Sequence, residues 1–249
     1  MHHLRNFLFL GLSLFSTLGY SLGSKKSSSG GGLSSSGSQS WPKFSCTKKV
    51  SSEIIVGANE TFDGKNCEYI WTGKYANKCD APEEYSENVP KMFRLERGAT
   101  LKNVAVRCSP DGIQMGDRTR LENVWIHVEE DGVNISGSND VRLNKVRFYQ
   151  FSDKALQINP GTGSVTCNSC EFYDGTSAIK YDGNSVLTVT NSKFQNVKRA
   201  VRVTKSPGRG SVSKSSFKNV GCALVEQGGG RVADDGGNSF GGAQQARCN

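Results

Sequence analysis

Apolar and polar residues alternate in short runs such as Ala99-Thr-Leu-Lys-Asn-Val-Ala-Val106 and Leu121-Glu-Asn-Val-Trp-Ile126, and no segment sustains a helical period. Alternation with a period of two predicts half-buried strands. The runs also return. Leu101-Lys-Asn-Val-Ala-Val-Arg-Cys-Ser-Pro-Asp-Gly-Ile113 comes back twenty residues later as Leu121-Glu-Asn-Val-Trp-Ile-His-Val-Glu-Glu-Asp-Gly-Val133, and weaker copies continue toward the C-terminus. A period in this range belongs to a solenoid, in which one unit cannot bury its own apolar face and stacking makes the core continuous. The expected fold class is all-β, a single-domain right-handed parallel β-helix. A leucine-rich repeat would show more leucines, and an antiparallel sandwich would not space similar phrases this way.

Stacking turns equivalent positions into ladders at about 4.8 Å. One predicted column reads Asp111, Asp131, Lys154, Ser177, Arg199, Cys222; a second, three residues further on, reads Gln114, Asn134, Gln157, Lys180, Arg202, Val225. Between them Ile113, Val133, Leu156, Ile179, Val201 and Leu224 are expected to fill the core. The rungs are expected to begin near Met92 and to be preceded by β-like stretches at Ser52–Val56 and Glu68–Thr72, a turn at Asp63-Gly64 and a polar loop from Lys74 to Asn88. The Gly-rich stretch Gly228 to Asn249 reads as an irregular cap or the remnant of a last rung.

The first 23 residues carry Arg5, the apolar run Phe7 to Phe15 and small residues at Ser21 and Gly23, the pattern of a secretory signal peptide and too short an apolar run for a membrane anchor. Residues 24–40 are rich in Ser and Gly and read as a flexible leader; the β-helix domain is expected over residues 41–249. Eight cysteines in a chain bound for an oxidising compartment predict disulfides, with Cys248 tying down the tail. Counting alone permits 105 pairings. Cys167-Asn-Ser-Cys170 has no second pair or His partners for zinc.

A net charge of +8 and a pI near 9.1 favour polyanionic partners. The cations are not interleaved with exposed aromatics as nucleic-acid binding would require, so no nucleic acid and no membrane is expected, and an extracellular acidic polysaccharide fits better. Asp111, Glu130 and Asp131, with Glu129 beside them, put oxygen donors on neighbouring rungs in a chain without a His cluster, a set that suits a hard cation such as calcium.

Pro110-Asp-Gly-Ile113, Leu121-Glu-Asn-Val-Trp125, Val128-Glu-Glu-Asp-Gly132 and Asp153-Lys-Ala-Leu-Gln-Ile158 resemble the central motifs of the small secreted pectate lyases of polysaccharide lyase family three. Thr61-Phe-Asp-Gly-Lys65 and Met92–Val104 resemble the family's opening, and the likeness runs from about Ile54 to Val203. The resemblance implies a secreted, monomeric enzyme that cleaves de-esterified homogalacturonan by calcium-dependent β-elimination. It places Asp111, Glu130 and Asp131 as the calcium ligands and Lys154 as the catalytic lysine of the family's D-K-x-x-Q phrase. The family's next phrase, G-K-x-x-R, reads Gly175-Thr-Ser-Ala-Ile-Lys180 here, so Ser177 stands at the lysine position and Lys180 at the arginine position. Arg202, and less directly Arg199, corresponds to a later rung's arginine; Gln114 replaces the usual His.

Two other functions remain open on sequence. The same basic groove could bind pectate without turning it over, a reading favoured by Ser177 and Lys180. A β-helix hydrolase would need paired carboxylates, and the adjacent pair Asp234-Asp235 lies in the Gly-rich tail, while the Gly-His-Gly phrase of polygalacturonases is missing. His127 reads as a wall residue. Sequons at Asn59 and Asn134 predict glycosylation at Asn59, because Asn134 falls in the groove.

Overall fold

The computed structural model describes residues 40–76, 89–128 and 130–249. The signal peptide, nearly all of the leader, most of the loop after Lys74, Cys79 and Glu129 lie outside the described residues.

The repeated Leu-x-Asn-Val phrase explains how the chain coils. Leu101, Val104, Leu121 and Val124 are buried, and the asparagine between each pair, Asn103 or Asn123, takes a left-handed conformation with φ of 53°. Asparagine tolerates that region better than most residues. The strand therefore turns sharply without breaking, and the next strand faces a different direction. Bends stack as well: Asn123 Nδ2 donates to Asn103 Oδ1 at 3.0 Å, and Asn103 Nδ2 donates to Asp63 Oδ1 at 3.1 Å. A second series of left-handed bends runs through Asp174, Asn196 and Asn219, joined by side-chain bonds of 2.6 and 2.8 Å.

The result is a coil of about eight turns in which eighteen described strands, from Thr47–Val50 to Ser239–Cys248, pair in parallel; no helix occurs among the described residues. Each turn presents three faces. One is built from Ile54–Val56, Lys91–Leu95, Asp111–Met115, Asp131–Ile135 and Lys154–Ile158, and then from the C-terminal parts of Glu171–Tyr181, Lys193–Val203, Ser216–Glu226 and Ser239–Cys248. The coil begins earlier than the phrase repeat suggests, since Ile54–Val56 already pairs with Lys91–Leu95 and Thr61–Trp71 with Thr100–Arg107. These first strands bury Val56, Tyr69 and Trp71 but lack the Leu-x-Asn-Val phrase. Of the two outcomes expected for the tail, the last rung is observed: Arg231–Asp234 and Ser239–Cys248 continue the sheets.

Inside, the predicted column from Ile113 to Leu224 is buried throughout. Beside it stands a ladder of rings, Phe148, Phe172, Phe194, Phe217 and Phe240, with centroids 4.9, 4.8, 4.9 and 5.0 Å apart. Their spacing in the chain repeats the period of the rungs, a signal that the apolar pattern alone does not single out. Disulfides Cys46–Cys67, Cys167–Cys170 and Cys222–Cys248 are present, and Cys108 is also disulfide-bonded. Cys248 therefore anchors the tail, and Cys167-x-x-Cys170 is a crosslink.

Phe194 is fully buried between two ring neighbours. Phe194→Ala is expected to cost about 3–5 kcal/mol of stability, measurable as a lowered midpoint in urea.

Candidate active site

Register brings the two predicted columns together. On one edge the residues pair in the order Lys91, Asp111, Asp131, Lys154, Ser177, Arg199, Cys222. Three positions on, Arg94, Gln114, Asn134, Gln157, Lys180, Arg202 and Val225 pair in turn. Carboxylates occupy the earlier rungs and cations the later ones.

Local sequence sets the carboxylate end. Each aspartate is followed by glycine because the coils approach closely there: a Cβ on Gly132 would lie 2.6 Å from the carbonyl oxygen of Ala155, and one on Gly112 would collide with the carbonyl of Gly132. Asp111 and Asp131 are 6% and 8% exposed, and the Asp131 amide lies 3.4 Å from Asp111 Oδ1. Burial raises both carboxyls, Asp131 to about 6, with the neighbouring carboxylates adding to the effect there. Glu130 rises to about 7 through burial and repulsion from Asp111 and Asp131.

Lysines flank this cluster. Lys91 Nζ is 3.4 Å from Asp111 Oδ2, and Lys154 Nζ is 3.2 Å from Asp131 Oδ1 while its hydrogen bond goes to Asp153. Despite the desolvation that opposes it, the carboxylates of Asp153 and Asp131 hold the Lys154 pKa above its ordinary value. Among the described residues no three carboxylates converge on one point as the side chains stand. The donor set nevertheless fits a hard divalent cation. Glu130 Oε2 is buried without a hydrogen bond and Asp131 Oδ1 has only its ion pair with Lys154, and three mutually repelling carboxylates are the chemistry such an ion relieves.

At the other end Lys180 Nζ pairs with Asp182 Oδ2 at 2.9 Å. Arg202 is held below its usual range by burial and by the charge of Arg199. Buried side-chain polar atoms lacking a protein hydrogen bond gather here: of eight among the described residues, seven belong to Glu130, Asp131, Gln157, Ser177, Asp182, Arg202 and Thr204, all on or next to this face. A native interior leaves few such atoms unpaired without reason. Such a face suits contact with polar groups from outside the chain.

A family model described as "Pectate lyase" matches residues 38–223. The chain belongs to the pectate lyase family. It is therefore related to lyases that act on polysaccharides. Among solved structures it is similar to the catalytic unit of a thermostable GH87 α-1,3-glucanase from Streptomyces thermodiastaticus, at 12% identity with a TM-score of 0.43. That match covers 78% of this chain and 61% of the glucanase chain, and at this similarity it carries no argument about substrate.

Within the pectate lyase fold, residues offered by the competing readings fall elsewhere. Asp234 and Asp235 lie at the end of Arg231–Asp234, on another face, where Asp234 accepts from Gly236 N and Asn238 Nδ2 and Asp235 from Ser211. His127 lies on a wall strand with Trp41 packed 5.6 Å away. Asn134 accepts from Asn159 Nδ2 at 2.9 Å and so lies within the polar network of the second column. Two residues went unmarked in the sequence. Lys91 sits twenty positions before Asp111, the interval that separates Asp111 from Asp131, so the column could have been extended upstream. Asp182 follows Lys180 by two positions and belongs to no repeated phrase.

Because a cation competes with protons for Glu130 and Asp131, affinity is expected to fall as pH drops through about 7 and then about 6. Calorimetric titration with calcium should give markedly weaker binding at about pH 5 than at about pH 8.

Proposed function

We propose that the protein is a secreted pectate lyase that cleaves de-esterified homogalacturonan by calcium-dependent β-elimination. The observation that carries this reading is the order of charge in the paired columns, buried carboxylates followed by Lys154, Lys180, Arg199 and Arg202, in a chain of the pectate lyase family. Disulfide crosslinks support an extracellular setting.

The chemistry follows from the acidity of the proton beside a uronate carboxylate. A base takes the C5 proton, the electron pair forms the C4–C5 double bond, and the glycosidic C4–O bond breaks, leaving an oxygen that is then protonated. Asp111, Glu130 and Asp131 would hold the calcium, which when bound supplies positive charge to the uronate carboxylate. Lys180, Arg199 and Arg202 supply fixed positive charge where the enolate-like transition state gathers negative charge. Lys154 is the base. It must be neutral at the moment of transfer, and its carboxylate neighbours keep it protonated above the ordinary lysine value. Calcium on Asp131 would offset part of that effect, and the rate is expected to rise with pH through the alkaline range.

Ser177 favours a second reading, a pectate-binding wall protein without turnover, because a hydroxyl stands where the family phrase carries a lysine. Ultraviolet absorbance of the unsaturated uronate, measured on polygalacturonate with calcium and with chelator, separates the two. A calcium-dependent rise is expected; bound polymer with no rise would mean a binder, and new reducing ends without unsaturation would mean hydrolysis. Lys154→Ala should lower kcat by about 10²–10⁴-fold with little change in melting temperature, and an unchanged rate would remove Lys154 from the mechanism. Asp131→Ala should raise the calcium concentration needed for half-maximal rate.

A further inference from the structure

Lys180 stands where the family's phrase has an arginine, and the two side chains differ in how they hold position. Arginine presents a rigid planar fork, whereas lysine carries one point charge on a flexible stem. In this chain the stem is restrained. Asp182, only 6% exposed, places Oδ2 2.9 Å from Lys180 Nζ. The backbone that carries this carboxylate is fixed, because the Asp182 amide donates to the carbonyl of Ile158 on the preceding coil at 2.8 Å.

Arg202 pairs with Lys180 in register on the next strand, a backbone separation of about 4.8 Å. Two like charges at that spacing repel, and the charge of Asp182 acts on Arg202 as well as on Lys180. Asp182 Oδ1 and Arg202 Nε are both buried without a hydrogen bond. A carboxylate can accept several hydrogen bonds, and this one makes a single ion pair. For a group so well buried that is poor compensation for lost hydration, so stability alone does not account for it.

We propose that Asp182 is a positioning residue that fixes Lys180 beside Arg202 as a clamp for a uronate carboxylate, so that lysine performs an arginine's task. The proposal rests on the lyase reading of this groove and adds to it. Asp182 does not touch the polymer; it acts through Lys180.

The test compares wild type, Asp182→Asn, Lys180→Met, the double variant and Asp182→Glu. Initial rates are measured on polygalacturonate with calcium, and tetragalacturonate binding is measured by calorimetry in chelator. Asp182→Asn should raise KM and the dissociation constant about tenfold while kcat stays within about threefold, a change of about 1.4 kcal/mol in binding. The double variant should bind no more weakly than Lys180→Met alone, because the two residues act as one unit. Asp182→Glu, which keeps a carboxylate within reach of Lys180, should recover at least half of the lost affinity; this holds the comparison open if the asparagine variant melts early. Unchanged binding in Asp182→Asn, additive losses in the double variant, or no recovery with glutamate would overturn the proposal. A wild type that binds but releases no unsaturated product, with these differences intact, sinks only the lyase reading. An active wild type indifferent to Asp182→Asn sinks only this inference, and a protein that neither binds nor cleaves sinks both.

Discussion

Parallel, in-register stacking decides what each side chain must live beside. Every residue on a rung meets its equivalents above and below at about 4.8 Å, so a choice made once is repeated along the coil. Where the repeated choice is favourable, the ladders reinforce the fold: five stacked phenylalanines, six aliphatic residues between the two polar columns, and asparagines that bridge successive bends. Where the choice is a charge, stacking is costly, because like charges on facing positions destabilise a sheet.

The site face shows how that cost is handled. Lys91 faces Asp111 and Lys154 faces Asp131, so the column alternates sign at its outer steps. Only the central step, Asp111 against Asp131, sets like charges together, and Glu130 joins them. Burial raises the pKa of all three carboxyls at this step, and repulsion between them adds to it at Glu130 and Asp131. Protein cations neutralise the flanks and leave the centre in deficit of positive charge, a deficit that a divalent ion would relieve.

The sequence carried the register of the site more completely than its chemistry. Intervals between core aliphatics placed Asp111, Asp131, Lys154, Ser177 and Arg199 in one column, and the strand pairings follow it residue for residue. That was legible because a solenoid converts sequence period directly into neighbourhood. The first coils were legible as β-like stretches but not as rungs, because Thr61–Trp71 and Ile54–Val56 fill the core with Tyr69, Trp71 and Val56 in place of the repeated leucines. Asp182 escaped for another reason. It sits beyond the end of its strand, where the period no longer constrains residue type, and its role depends on where the Lys180 side chain turns, which a one-dimensional pattern does not specify.

The departures from the family phrase then have a common physical logic. A lysine at position 177 would stand between Lys154 and Arg199 on consecutive rungs, with Arg202 already held below its usual pKa by burial and by the charge of Arg199. Three stacked cations would repel at every step, and each would be easier to deprotonate and harder to hold still. Ser177 removes the middle charge, and Asp182 offsets Lys180 one column over. Both residues lower the density of positive charge at the same end of the face while leaving Lys154 and Asp131 in register. Fewer cations, each better fixed, can serve transition-state charge as well as a crowded array, since preorganised position rather than total charge sets that stabilisation.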